Sequence, residues 1–156
     1  MKFLMRCILK GTKFVAIVPN VTPKPPRISA QIKWLGPERG WIKLNTDGVA
    51  NSVLGCAGGG GILRDCVGNW IGGIARFLGN CSSLLAELWA LKDGIFLAKN
   101  LGFVSICIEV DAEIIVLLLN CTTSVSLIME PLLFYCRNLL LIFTNLVIKH
   151  VYRETN

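Results

Sequence analysis

From Trp41 to Thr46 apolar and polar residues alternate, the period-2 pattern of a strand with one buried face. Residues 57–63 and 70–77 read as two further strands, joined by the turn-rich stretch Arg64-Asp65-Cys66-Val67-Gly68-Asn69. The rhythm then changes. Leu84, Leu88, Leu91, Ile95 and Ala98 recur at helical spacing, Ser82 or Ser83 can cap the helix, and Gly102 stands just past its expected end at Asn100. Residues 104–110 return to a strand, and Asp111 is placed to cap a short helix through Asn120. Glu130-Pro131 opens another helix with proline in its first turn, and a last strand falls near residues 141–149. Short links imply an antiparallel meander, and helical crossovers imply parallel additions. The expected fold class is α/β: a mixed five-stranded sheet, an antiparallel meander plus two parallel strands, flanked by helices.

Two features interrupt this pattern. Gly58-Gly59-Gly60-Gly61 would weaken a strand interior, so it points to close backbone approach by a neighbour or ligand, or to a bulge. A phosphate-cradling loop would need a Lys-Ser/Thr pair after the glycines, and none follows. Five of the six prolines (19, 23, 25, 26 and 37) precede Trp41, and proline fixes φ and donates no hydrogen bond. Residues 1–40 therefore read as a basic, proline-rich extension, and residues 41–156 as the compact domain.

Charge sharpens that division. Residues 1–43 carry a net +8, while residues 44–156 carry −2 within an overall +6. A basic arm suits an anionic partner, nucleic acid above all, although a solvated tail that only aids solubility has the same composition. The chain is 53% hydrophobic, which excludes a disordered protein and raises the question of a membrane. No uncharged run exceeds 16 residues; the apolar one at residues 114–129 contains Asn120, Thr122, Thr123, Ser124 and Ser126, too short and too polar to span. Lys2, Arg6, Lys10 and Lys13 break up any secretory leader. The seven cysteines (7, 56, 66, 81, 107, 121 and 136) form no C-x-x-C pair and sit mostly in apolar stretches, so they read as reduced, structural thiols of a nuclear or cytosolic protein.

Three acids of the body stand beside strongly apolar sequence. Asp47 ends the first strand, Glu87 lies in the first turn of the long helix about 60° from the centre of its apolar stripe, and Asp111 ends the fourth strand. Carboxylates clustered at the edge of a core repel one another unless cations neutralise them, and hard cations such as Mg²⁺ prefer oxygen ligands. A pair of such ions could activate water and stabilise a leaving oxygen in phosphodiester cleavage. Each acid also has a local explanation: Asp47-Gly48 as a turn pair, Glu87 at a helix dipole, Asp111 as a cap. Spacing alone leaves both readings open.

The stretch from Gly40 to Asn156 resembles the ribonuclease H type 1 domain, in the plant form found in retroelement-derived, reverse-transcriptase-like proteins. The resemblance rests on Gly40-Trp41-Ile42-Lys43-Leu44-Asn45-Thr46-Asp47-Gly48, Ala57-Gly58-Gly59-Gly60-Gly61-Ile62-Leu63-Arg64-Asp65, Gly68-Asn69-Trp70, Ala86-Glu87-Leu88-Trp89-Ala90-Leu91, Ile108-Glu109-Val110-Asp111 and His150-Val151-Tyr152-Arg153-Glu154-Thr155-Asn156, in that order. It implies that Asp47, Glu87 and Asp111 are three of four metal-binding carboxylates, and that the domain is a Mg²⁺-dependent endonuclease cutting the RNA strand of an RNA–DNA hybrid. Two ions are expected, with Mn²⁺ as a substitute. His150, the only histidine, would assist proton movement or product release, unless it is a plain surface residue. Glu109 would either support the site from outside or be a solvated glutamate.

The family's fourth carboxylate follows the residue matched by Asn156, where the sequence ends. Weak or absent activity is therefore expected of this polypeptide, with apolar surface around residues 139–148 uncovered. The alternative to a hybrid-cleaving nuclease is a non-catalytic, nucleic-acid-binding remnant of a retroelement; a product without a stable fold is a third.

Overall fold

A computed structural model describes residues 34–120 and 127–151, together with the backbone of 14–16. Among these residues the elements run β1 (Phe14–Ala16), β2 (Ile42–Asn51), β3 (Cys56–Arg64), β4 (Trp70–Gly79), α1 (Ser83–Asn100), β5 (Ser105–Val110), α2 (Glu113–Asn120), α3 (Glu130–Leu140) and β6 (Asn145–His150). The strands form one sheet in the order β1-β4-β3-β2-β5-β6. β2, β3 and β4 make the antiparallel meander, and β5 and β6 add in parallel beside β2. These are the five expected strands. The short β1 extends the β4 edge, with Phe14 opposite Ala75. Residues 1–13 and 17–33 of the expected extension, the thiols of Cys7 and Cys121, and the motif residues Tyr152, Arg153, Glu154, Thr155 and Asn156 lie outside the described residues.

Alternation decides which faces are buried. Ile42 and Leu44 on β2, and Ile106, Ile108 and Val110 on β5, are sealed against α1, where Leu88, Leu91, Ile95 and Ala98 form the expected stripe and Leu84 is half-buried at its start. From the other side α1 receives Leu133, Cys136 and Leu139 of α3. Each such side chain contributes roughly 1.5–3 kcal/mol by leaving water. Burial pushes the Cys136 thiol up to about 12, so it behaves as a small hydrophobe. Among the described residues no helix is long and apolar enough to cross a membrane.

The glycine run is strand, paired on both sides within β3, and so not a phosphate loop. A Cβ at Gly59 would lie 2.6 Å from the Ala86 carbonyl oxygen and 2.9 Å from Ala90 Cβ. The absent side chain is what lets α1 settle directly on the sheet, and a bulge falls beside it between Ala57 and Gly58.

Two boundaries differ from expectation. β2 does not stop at Asp47-Gly48; it continues to Asn51, and the reversal falls at residues 52–55, where Asn51 Oδ1 accepts from the N–H groups of Val53 (3.0 Å) and Leu54 (3.1 Å). The last strand starts at Asn145, because residues 141–144 still close the end of α3 through Ile142 N–H to Leu139 O and Phe143 N–H to Leu140 O.

Packing extends upstream to Trp34. Lys43 Nζ donates to the Leu35 carbonyl and lies 5.1 Å from the centre of the Trp34 ring. Gly36 passes so near the turn after β3 that a Cβ there would sit 2.1 Å from the Cys66 carbonyl oxygen.

Candidate metal centre

Asp47 lies inside β2, opposite Gly60 of β3, not at the end of a strand. Its neighbour Gly48 is where β2 and α1 touch: a Cβ there would be 2.2 Å from the Glu87 nitrogen and 2.7 Å from the Glu87 Cα. Backbone against backbone, the strand carrying Asp47 and the helix carrying Glu87 are held together by a missing side chain. α1 begins at Ser83, with Ser82 Oγ accepting from the Leu85 N–H at 3.2 Å, so Glu87 stands in the second turn rather than the first. Its carboxylate is therefore too deep to serve the positive end of the helix.

Asp111 arrives from the far side. β5 runs parallel to β2, and their pairing ends with Thr46 opposite Val110, so Asp47 and Asp111 are the next residues on adjacent strands. α2 begins only at Glu113, so Ala112, whose carbonyl accepts from the Ile115 N–H at 2.9 Å, stands between it and Asp111. The result is that one carboxylate oxygen from each of Asp47, Glu87 and Asp111 lies within 4.8 Å of the other two.

The electrostatics of this cluster are unfavourable in water alone. Glu87 is 4% exposed, and its Oε2 is buried without a hydrogen-bond partner. Burial pushes its carboxyl up; a hydrogen bond from the Gly48 N–H opposes the shift, but the charges of Asp111 and Asp47 and a hydrogen bond to Asp111 reinforce it, and the group titrates at about 8. Three converging carboxylates with a buried, unsatisfied oxygen are the donor set that a hard divalent cation fits. Glu87 and Asp111 open on a cleft of about 280 Å³ bordered also by Gly48, Ser83, Leu84, Ala112 and Ile114.

His150 joins them. β6 pairs with β5 so that His150 stands opposite Val110, and its Nε2 lies 3.2 Å from the Asp111 carbonyl oxygen. Glu109 does not: it is buried, not solvated, and its carboxylate accepts from Lys43 Nζ and from Asn45 Nδ2 (2.9 Å) on β2.

A second charged group escaped the sequence reading. Asp93 of α1 is 3% exposed and accepts from Arg76 Nε (2.5 Å) and Nη2 (2.9 Å) and from Lys92 Nζ (3.1 Å). Burial alone would raise its carboxyl, but Arg76 and Lys92 outweigh it and hold the group below the usual carboxylate range. Arg76 also lies over the Trp89 ring at 4.7 Å. The only trace in the sequence is an acid between Leu91 and Ile95 of the apolar stripe. Arg76→Ala is expected to cost about 2 kcal/mol in urea unfolding, because a buried charge loses its two-pronged donor but keeps Lys92.

A family model described as reverse transcriptase-like matches residues 45–156. An Arabidopsis thaliana protein named "Putative ribonuclease H protein" is 40% identical over 131 residues, 84% of this chain and 21% of its own length, so the chain spans about a fifth of that relative. Among solved structures, RNase H1 from the halophilic archaeon Halobacterium salinarum superposes with a TM-score of 0.68 at 24% identity, covering 74% of this chain and 89% of its own. LC11-RNase H1, solved in complex with an RNA/DNA hybrid, gives 0.66 at 23% identity, covering 74% and 88%.

Proposed function

Because the chain belongs to the reverse transcriptase-like family and carries a ribonuclease H-like domain, we propose that it hydrolyses the RNA strand of RNA–DNA hybrids with the help of divalent metal. The observation that carries this reading is the convergence of Asp47, Glu87 and Asp111 within 4.8 Å. Bound Mg²⁺, as two ions or with Mn²⁺ in its place, would polarise the scissile phosphate and lower the pKa of the attacking water. The rest falls to the protein. Asp47 and Asp111, fixed by the β2–β5 pair, and Glu87, fixed by α1, hold the cations. Glu87 must first give up the proton that burial and its neighbours favour, so its ionisation is coupled to metal uptake. His150, beside the Asp111 carbonyl, would exchange a proton with the reacting phosphate or departing strand. Selection of RNA would rest on its 2′-hydroxyls.

The experiment is a labelled hybrid incubated with the folded protein. Cutting of the RNA strand is expected only with Mg²⁺ or Mn²⁺ and should fall at least a hundredfold in Asp47→Asn, the scale of a lost catalytic electrostatic contact. Folded wild-type protein that cuts nothing at any metal concentration contradicts the reading.

The basic arm favours a second reading, a nucleic-acid-binding protein without catalysis. Residues 1–33 carry +7, and their loss should weaken hybrid binding and flatten its salt dependence. The truncation must end before Trp34, which packs on the domain.

A further inference from the structure

We infer that Glu109 is a positioning residue for the acidic centre: it ties β5 to β2 just before Asp111 and Asp47 and thereby sets the separation of those two acids. The inference rests on the reading of the acids as a metal site. Glu109 stands directly opposite Asn45 in the parallel pair. Its two oxygens are divided between two donors of β2, Lys43 Nζ and Asn45 Nδ2. Asn45 Oδ1 in turn accepts from Arg64 Nη1 of β3 at 3.4 Å, so polar contacts cross three strands. Lys43, Asn45 and Glu109 are 4%, 5% and 8% exposed, which makes them part of the interior rather than of the solvated surface.

Alternation puts Asn45 with Asp47, and Glu109 with Asp111, on one face of the sheet. The ladder between β2 and β5 ends at Thr46 opposite Val110, one residue before Asp47 and Asp111. Glu109 ties the two strands by its side chain one residue before that end. Stability alone does not call for an ion pair here, since a buried pair is often replaced by apolar residues without loss. A carboxylate that engages two side chains of the neighbouring strand fixes relative strand position, which an apolar pair would leave softer.

The test separates these roles. Lys43→Met/Glu109→Leu removes the pair and the tie to Asn45; Lys43→Met/Glu109→Gln removes the charges but keeps an oxygen for Asn45. With both variants folded, Mn²⁺ affinity and kcat on the hybrid are expected to fall about tenfold in the leucine variant, with KM unchanged, and to return to near wild type in the glutamine variant. Asn45→Ser removes the tie from the β2 side and leaves Lys43 and Glu109 paired, so it should weaken Mn²⁺ binding even if the leucine variant does not fold. Wild-type Mn²⁺ affinity in the leucine variant or in Asn45→Ser overturns the inference, whatever their melting temperatures. If the wild type takes up no Mn²⁺, the metal reading fails, and amide exchange decides this one. Faster exchange at Gly48 and Ala112 in the leucine variant alone supports it, and equal exchange in both variants overturns it.

Discussion

Freed of divalent cation, the folded protein is expected to lose stability as pH rises from about 5 to about 8.5, against the usual trend for a domain rich in ionised carboxylates. The cause is Glu87. Its carboxyl titrates at about 8 in the folded chain against an ordinary 4.5. Between those values the folded state holds a proton that the unfolded chain has released, so raising pH pulls the equilibrium toward unfolding. The stabilising proton is fully present below about 4.5 and gone above about 8, a loss on the order of 5 kcal/mol at 1.36 kcal/mol per unit. Asp93 titrates below this window and Cys136 above it, so neither obscures the slope. Urea midpoints across the range should fall steadily in the wild type and stay level in Glu87→Gln, which keeps the shape and carries no charge. Saturating Mg²⁺ should reverse the wild-type slope, because cation binding gains as the proton leaves. A level wild-type profile without metal would mean that Glu87 is not buried among like charges.

The second large effect comes from a residue with no functional group. Gly48→Ala would place a methyl 2.2 Å from the Glu87 nitrogen. Neither partner is a side chain that can swing away: one is β2, where Gly48 is paired with Gly59 of β3, and the other is the backbone of α1. The helix must lift from the sheet, at a cost on the order of 3 kcal/mol. Because the point of contact is Glu87 itself, the same displacement separates its carboxylate from Asp47 and Asp111. Chemical denaturation should show the destabilisation, and the fraction that remains folded should bind Mn²⁺ at least tenfold more weakly.

How far this was legible beforehand varies by residue. The apolar rhythm located every strand from β2 to β6 and the long helix, because burial of one face imposes period 2 or 3.6 directly on the sequence. Asp47-Gly48 misled: the pair has strong turn propensity, but the pairing with Gly60 and Gly59 of β3 outweighs a local preference, and the glycine serves helix contact. Glu87 was correctly placed at the rim of the packed face but one turn early, since the choice between Ser82 and Ser83 as cap moves the count. Lys43 was counted with the basic arm, yet it is buried against Glu109, 66 positions away. No local pattern reports a partner brought in by a crossover, and the same holds for Arg76 with Asp93. The convergence of Asp47, Glu87 and Asp111 was implied only by resemblance, for that reason.

The most direct test of the account is calorimetric titration of Mn²⁺ into the folded protein and into Asp47→Asn, in two buffers of different ionisation enthalpy near pH 7.5. Saturable uptake by the wild type that releases protons, and that is lost in the variant, is the predicted result. Uptake that is absent, or the same in both proteins, would contradict the claim that these three carboxylates form one metal centre.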